Sequence, residues 1–561
     1  MPFIVKRKTD GNCYSLKTSL VYYLLIPFVL FSCQGEERPT TPLKLGGTYR
    51  IPIPSEITSL DPISGQYYSW SIGSQIYEGL LTYSKGESMI IPLLAESFEI
   101  KDLAYTFHLR RGVLFHDDPC FPGGKGRDFT AADVKYSFER SYKRRVKSGE
   151  LKESHLEEAF LGYKEFVTGE SPQIEGFKVL DRYTFEIRLA RPDLNLLSRL
   201  TASQMFIVPR EAVEYYGEDF KLHPVGTGPF RFSEYVPNEK LILVKNENYW
   251  GHDKNNVPLP YLDTVEYILY SPGESEKMLL DFQTGRIDEC TEDVAKYLAD
   301  LVALDDQGNL IFKGWLKGKG VQFVKDRVFR RLRYLEVIEA NRKVRQAMGY
   351  AINRKRLIDN QKSLFQNYEI AKGPIPSSAV YFNKDIKGQY YDPVRARELL
   401  AQAGFPNGQG LPEYPLISLP SPEVHLIVED LEAVGFKIKE LDPFSGWRAL
   451  LEKGEPLLVR MQNIITAPDV YTILNSVPKN ECLTDPLFIG VFQEWQKNDE
   501  NFRNKKWLNR LEKIIIDIAP VVFLYHTDGE FRFLQKNVRG RQLGTAWGHK
   551  LHYVWLDDDT R

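Results

Sequence analysis

Tyr105-Thr106-Phe107-His108-Leu109-Arg110 alternates apolar and polar side chains, and the next regular stretch, Thr130-Ala131-Ala132-Asp133-Val134, reads as a helix start. The first has the period of two expected of a half-buried strand. The second sets a hydroxyl before an acid at the third helical position, a capping-type start that Ser137 and Phe138 continue. Strand and helix alternate in both directions from here. Upstream, Gly46-Gly47-Thr48-Tyr49-Arg50-Ile51-Pro52-Ile53 reads as a strand, at a sheet edge because Pro52 has no N–H to give a ladder. Ser59-Leu60-Asp61-Pro62 follows as a turn. Ile72, Ile76 and Leu80 fall at i, i+4 and i+8 and predict a helix over 69–81 that ends near Gly79. Downstream, the patterns predict strands at 183–189, 240–245, 436–441 and 521–525, and helices at 343–351, 393–403, 425–434 and 508–518. Segments rich in Pro, Gly, Asn and Asp at 117–127, 251–260 and 406–415 predict exposed loops. Interleaved strands and helices define an α/β class.

The composition bounds what such a chain does. Its 561 residues call for more than one domain and provide ample apolar surface, with 43% hydrophobic residues. Lys and Arg total 73 against 75 Asp and Glu, a formal net charge of −2 that excludes a dedicated nucleic-acid binder. A mean hydropathy of −0.35 excludes a polytopic membrane protein. The aromatic share, 13%, is read two ways: walls of a binding site or ordinary core.

The N-terminus carries Lys6, Arg7, Lys8 and Lys17, then a charge-free, mostly apolar run over 20–31. As a helix that run spans about 18 Å, short of the roughly 30 Å of a bilayer core, so it reads as the apolar region of a secretory signal over 1–32. Its end, Leu30-Phe31-Ser32-Cys33, resembles the lipobox of bacterial lipoproteins, which implies an acylated Cys33 as lipid anchor. Polar, proline-bearing residues over 33–45 suit a tether. Of five cysteines, Cys13 leaves with the signal, and Cys120, Cys290 and Cys482 allow at most one bridge.

A search for catalytic or metal-binding patterns is negative. No H-E-x-x-H motif occurs, and His549 and His552, the nearest pair near the C-terminus, read as ordinary histidines. No G-x-S-x-G elbow or C-x-x-C pair is present. Gly123-Gly124-Lys125-Gly126 and Gly318-Lys319-Gly320 lack the Ser or Thr of a phosphate loop. The basic stretch from Lys325 to Arg356, interrupted by Glu336 and Glu339, reads as a solvated face. No enzyme, cofactor or metal is expected.

Several blocks taken together, in order and spacing, resemble the large extracytoplasmic solute-binding proteins of ABC importers, family 5, the oligopeptide-, dipeptide- and nickel-binding type. They are Ser59-Leu60-Asp61-Pro62, Ile76-Tyr77-Glu78-Gly79-Leu80-Leu81, Pro92-Leu93-Leu94-Ala95-Glu96-Ser97, and the strand from Tyr105 through Arg111-Gly112-Val113-Leu114-Phe115. Phe129-Thr130-Ala131-Ala132-Asp133-Val134, Gly226-Thr227-Gly228-Pro229-Phe230 and Asn248-Tyr249-Trp250-Gly251 continue the series. Val344-Arg345-Gln346-Ala347-Met348, Tyr391-Asp392-Pro393 and Ala403-Gly404-Phe405 complete it. The resemblance implies a two-lobe periplasmic-binding-protein fold of type II, in its large three-domain variant, with a ligand cleft between the lobes. It implies a discontinuous first lobe over 46–82, 206–285 and 518–561, a subdomain over 83–205, and a second lobe over 286–517. Two rigid lobes and a hinge let a bridging ligand favour the closed state, a task that needs no nucleophile.

The implied function is a monomeric, lipid-anchored protein of the cell envelope that captures a peptide or similar small solute and delivers it to an ABC permease and ATPase. Two alternatives stay open: the same fold with a non-peptide ligand such as a metal chelate, heme or oligosaccharide, and an envelope sensor or chaperone without transport. Peptide-binding members place an Asp in a W-x-x-D-type stretch to pair with the peptide ammonium. In this chain Asn463 aligns with the Trp and Thr466 with the Asp, and Asp469 is the alternative carboxylate if the register slips. A buried ammonium without a carboxylate costs several kcal/mol. Tyr67, Tyr68 and Trp70 in the first lobe and Trp447 in the second are candidate apolar walls, or lobe core. Arg460 is a candidate partner for a ligand carboxylate, or a structural ion pair.

Overall fold

The computed structural model describes residues 43–54, 56–64, 67–84, 90–148, 159–191, 193, 196–271, 273–291, 294, 297, 301–305, 310–325, 330–338, 341–361, 367–377, 382–418, 420–442, 456–465, 486–498, 505–528, 531–541, 543 and 550–557. The expected signal, Cys33, the expected tether up to residue 42 and Cys482 lie outside them. Lys44–Arg561 forms one compact unit.

The first sheet has four strands in the order Thr48–Ile53, Thr264–Leu269, Lys240–Lys245, Phe230–Val236. The Pro52 strand lies at the edge, parallel to its neighbour, and the remaining pairs are antiparallel. A second four-stranded sheet, wholly antiparallel, runs Ala95–Lys101, Ala104–Leu109, Thr184–Arg188, Phe177–Asp181. Its inner strand is the alternating stretch at Tyr105, with Phe107 and Leu109 buried. The helix Ala131–Ser148 packs on this sheet. Asp133 accepts from both the N–H and the hydroxyl of Thr130, each at 2.9 Å, which closes the expected cap. Phe138 and Tyr142 then meet Phe160, Phe177 and Phe185 with ring centroids 5.4–6.1 Å apart, mostly edge to face. Such pairs add about 0.5–1.5 kcal/mol each to plain burial. A substantial part of the aromatic content therefore stabilises a core shared by both sheets.

A six-stranded sheet organises the later half, in the order Tyr368–Ile370, Val521–Asp528, Arg330–Ile338, Leu457–Ile465, Glu413–Ile417, Lys437–Leu441. Successive side chains of one strand point to opposite faces. Leu332 and Tyr334 accordingly join a core with the helix Lys505–Ile518, while Leu335 and Val337 join one with the helices Arg342–Ala351, Pro393–Gln402 and Pro422–Glu432. Val521–Asp528 has a partner strand on each side in this sheet, although the first lobe was expected to resume at 518. A smaller sheet joins Glu289–Cys290, Phe531–Leu534 and Gln322–Lys325. There Glu289 accepts from Tyr49 Oη at 2.6 Å and from Arg541 Nε and Nη2 at 2.7 and 3.1 Å, a buried cluster that ties 289 and 541 to the first strand.

Three expectations change. The helix expected to reach Gly79 is Tyr67–Ile76, because Glu78 turns inward and Leu80 pairs with Leu93 and Ala95 beside the strand Leu81–Tyr83. The loop at 406–415 ends in the strand Glu413–Ile417. The basic stretch is not simply a solvated face: Arg345 and Arg354 are buried and donate to the carbonyls of Ile518, Ala519, Phe523, Gly349 and Ile352. A guanidinium carries five N–H donors, which is what capping so many carbonyls requires.

Candidate functional site

Three strands of the six-stranded sheet run parallel: Glu413–Ile417 pairs with Lys437–Leu441 on one side and, through Leu416 and Ile417, with Leu458 and Val459 on the other. Glu413–Ile417 and Lys437–Leu441 end level at one edge, and Leu457–Ile465 runs on six residues past Val459 in the same direction. In open α/β sheets that edge, where connections diverge to opposite faces, is where ligands bind. The expected ligand segments follow these strand ends in sequence. The chain leaves Lys437–Leu441 toward Trp447 and leaves Leu457–Ile465 toward Thr466 and Asp469; all three residues lie outside the described set. Asn463 pairs across the backbone with Leu332 near the end of its strand.

Arg460 lies one residue past the last pairing with Glu413–Ile417. Its partner comes from the helix Pro422–Glu432, whose N-cap Ser421 accepts from Val424 N–H. Glu423, in the first turn where the helix dipole favours negative charge, receives Arg460 Nη2 at 2.7 Å and Nε at 3.2 Å. Tyr525 Oη and Gln361 Nε2 donate to the same carboxylate at 2.8 and 3.2 Å. The side chains are 19% and 4% exposed. Burial opposes the Arg460 charge, yet the Glu423 carboxylate outweighs it and raises the guanidinium pKa. Tyr525 is pushed upward by burial and then by the Glu423 charge. Arg460 is thus held as half of a partly buried ion pair at the mouth of the sheet crevice.

In the first lobe, Tyr67 and Tyr68 open the helix Tyr67–Ile76, and Trp70 lies half-buried in its first turn. Glu78 had no separate role in the sequence, yet two distant blocks converge on it. Thr227 Oγ1, Tyr249 Oη and Trp250 Nε1 donate to it at 2.9, 2.9 and 3.0 Å. Burial nevertheless pushes its pKa up to about 7 against those donors. The available signal was a lone acid between Tyr77 and Gly79 in an otherwise apolar run. His552, read as an ordinary histidine, lines a cavity beside this carboxylate.

Comparison with known proteins gives a consistent result. The family model of bacterial extracellular solute-binding proteins, family 5 (middle part), matches residues 89–481. Heme-binding protein A of Haemophilus influenzae is 30% identical over 413 residues, 70% of this chain and 69% of that protein. Glutathione-binding protein GsiB of Pectobacterium atrosepticum is 30% identical over 363 residues, 64% of this chain and 61% of that protein. Among solved structures, the ABC transporter-associated periplasmic binding protein DppA from Helicobacter pylori, in complex with peptide STSA, superposes with a TM-score of 0.66 at 24% identity, over 92% of this chain and 99% of that one. HbpA2 from Haemophilus parasuis gives 0.68 at 20% identity, over 91% and 100%.

Proposed function

The chain belongs to the family 5 extracellular solute-binding proteins of ABC importers, and from that membership we propose that it is a lipid-anchored receptor for a peptide or peptide-like solute. It is a binding protein of type II fold, not an enzyme. The observation that carries the reading is the parallel run of Glu413–Ile417, Lys437–Leu441 and Leu457–Ile465, whose carboxyl ends point one way and are followed by the segments of Trp447, Thr466 and Asp469. In this reading Thr466 faces the solute's amino end, Asp469 is the alternative, and Trp447 with Tyr67, Tyr68 and Trp70 walls the cleft. Arg460 meets a solute carboxylate only by dividing its guanidinium donors between the solute and Glu423. The lobes are 46–82 with 206–285 and the C-terminal residues, carrying the subdomain 83–205, and 286–517; the pairing of Val521–Asp528 supports counting that strand with the second lobe. Cys33 anchors the monomer to the envelope, where it delivers its cargo to a permease and ATPase.

Native mass spectrometry of protein purified without denaturation tests the ligand class: retained peptides support the proposal, and a retained chelate, heme or sugar overturns it. A non-peptide ligand is the second reading, favoured by the neutral Thr466 at the aligned position and by the heme-binding relative. Thr466→Asp raises affinity for peptides with a free N-terminus if the register is right, and an unchanged affinity rejects it. Cys33→Ala releases the protein from membranes if lipidation is the tether.

A further inference from the structure

A cavity of about 240 Å³ lies in the first lobe, and all its lining residues fall outside 286–517. Its apolar walls include Tyr83, Phe206, Trp250 and Tyr553, and its polar lining includes Glu78, His252, Lys550 and His552. The polar groups are not equally engaged. Both Glu78 oxygens are occupied by Tyr249, Thr227 and Trp250. Lys550 Nζ donates once, to the carbonyl of Tyr83 at 3.1 Å, and among the described residues no carboxylate forms an ion pair with it. An ammonium has three donors, so two remain for something else. His552 stacks on Tyr553 with centroids 4.4 Å apart. Among the described residues its ring nitrogens have no side-chain or backbone partner, and burial followed by the neighbouring Lys550 charge lowers its pKa to about 3, so the imidazole is neutral and offers one donor and one acceptor.

From this arrangement we propose that the cavity is a binding site for a small monocarboxylate with a single-ring body, its carboxylate on Lys550 Nζ, its polar edge on His552 and its ring between Trp250 and Tyr553. Charge selects the sign: among the described residues no carboxylate is in ion-pair contact with Lys550, and burial lowers its pKa, with the Glu78 charge restoring only part. Volume selects the size. A dry cavity of about 150 Å³ holds benzene, while drug-sized ligands need roughly 300 Å³ or more. About 240 Å³ therefore fits one ring with a carboxylate. This site is additional to solute capture at the second-lobe edge and does not depend on it.

The test uses the full mature chain, unfolded and refolded to strip bound molecules, then titrated with phenylacetate and, as the neutral analogue, benzyl alcohol. Calorimetry and tryptophan fluorescence are expected to give one saturable phenylacetate site and at least tenfold weaker benzyl alcohol binding. Lys550→Met is expected to weaken phenylacetate at least tenfold and Lys550→Arg to keep most of the affinity. No saturable binding, equal affinity for the two probes, or a Lys550→Met affinity unchanged from wild type overturns the proposal. If Lys550→Met does not fold, the wild-type thermal shift decides: a concentration-dependent rise with phenylacetate and none with benzyl alcohol supports the site, and any other pattern rejects it.

Discussion

Glu423 receives Arg460 through two hydrogen bonds, from Nη2 at 2.7 Å and Nε at 3.2 Å, and the carboxylate is the more deeply buried partner. Removing one member of such a pair strands the other charge. Glu423→Ala is expected to lower stability by about 3–5 kcal/mol, and Glu423→Leu combined with Arg460→Met to recover most of it. Urea unfolding of the single and double variants measures the coupling; additive losses would contradict a paired role.

Glu289 predicts an acid-side loss of stability. Burial alone would raise its pKa, but Arg541 and Arg532 outweigh burial and Tyr49 adds a hydrogen bond, so the carboxyl is held down at about 2 against an ordinary 4.5. The unfolded chain then takes up the proton first. Stability present above pH 4.5 falls as the pH drops toward 2, by roughly 3 kcal/mol. Thermal midpoints over that range are expected to decline in the wild type and much less in Glu289→Gln, which starts from a lower value.

Glu78 predicts the opposite slope. Its pKa is raised to about 7, so the folded protein keeps a proton that the unfolded chain loses near 4.5. Stability contributed below pH 4.5 is lost as the pH rises to 7 and is level beyond, on the order of 3 kcal/mol in all. Glu78→Gln should flatten that segment of the stability curve, and an unchanged slope would show that another group titrates there.

Gly226 and Gly228 leave no room for a side chain. A Cβ at Gly226 would lie 2.1 Å from the Ile76 carbonyl oxygen, and one at Gly228 would lie 2.6 Å from that of Gln75. Neither obstacle is a flexible side-chain end. Gly226→Ala and Gly228→Ala are each expected to cost about 1–3 kcal/mol or more, read from the thermal midpoint, whereas Gly169→Ala, with open space around it, is opposed only by its positive φ of 81°.

Legibility followed how local each interaction is. Ala104–Leu109, Lys240–Lys245 and Arg342–Ala351 were readable because their period alone commits them to one buried face. The helix at 67–76 was overextended because Leu80 keeps the apolar spacing, while what ends the helix is Glu78 turning toward Thr227, Tyr249 and Trp250, residues that no local window contains. Arg345 and Arg354 looked solvated for the same reason: the carbonyls they cap belong mostly to 518–523. In the candidate site, Arg460 was found as a residue type suited to carboxylates, but its partner Glu423 is set by a parallel strand pairing and not by spacing in sequence.

The inner position of Val521–Asp528 also bears on the order in which the molecule is made. The edge-to-edge run of the first sheet is available once residue 269 has been synthesised, but the later sheet has a gap between Tyr368–Ile370 and Arg330–Ile338 until residue 528 exists. A nascent chain of 500 residues therefore cannot complete that lobe, and its closure waits on a contact spanning nearly two hundred positions, the kind that forms slowly. The later lobe therefore stays open until its last inner strand is made, while the first sheet is already able to close.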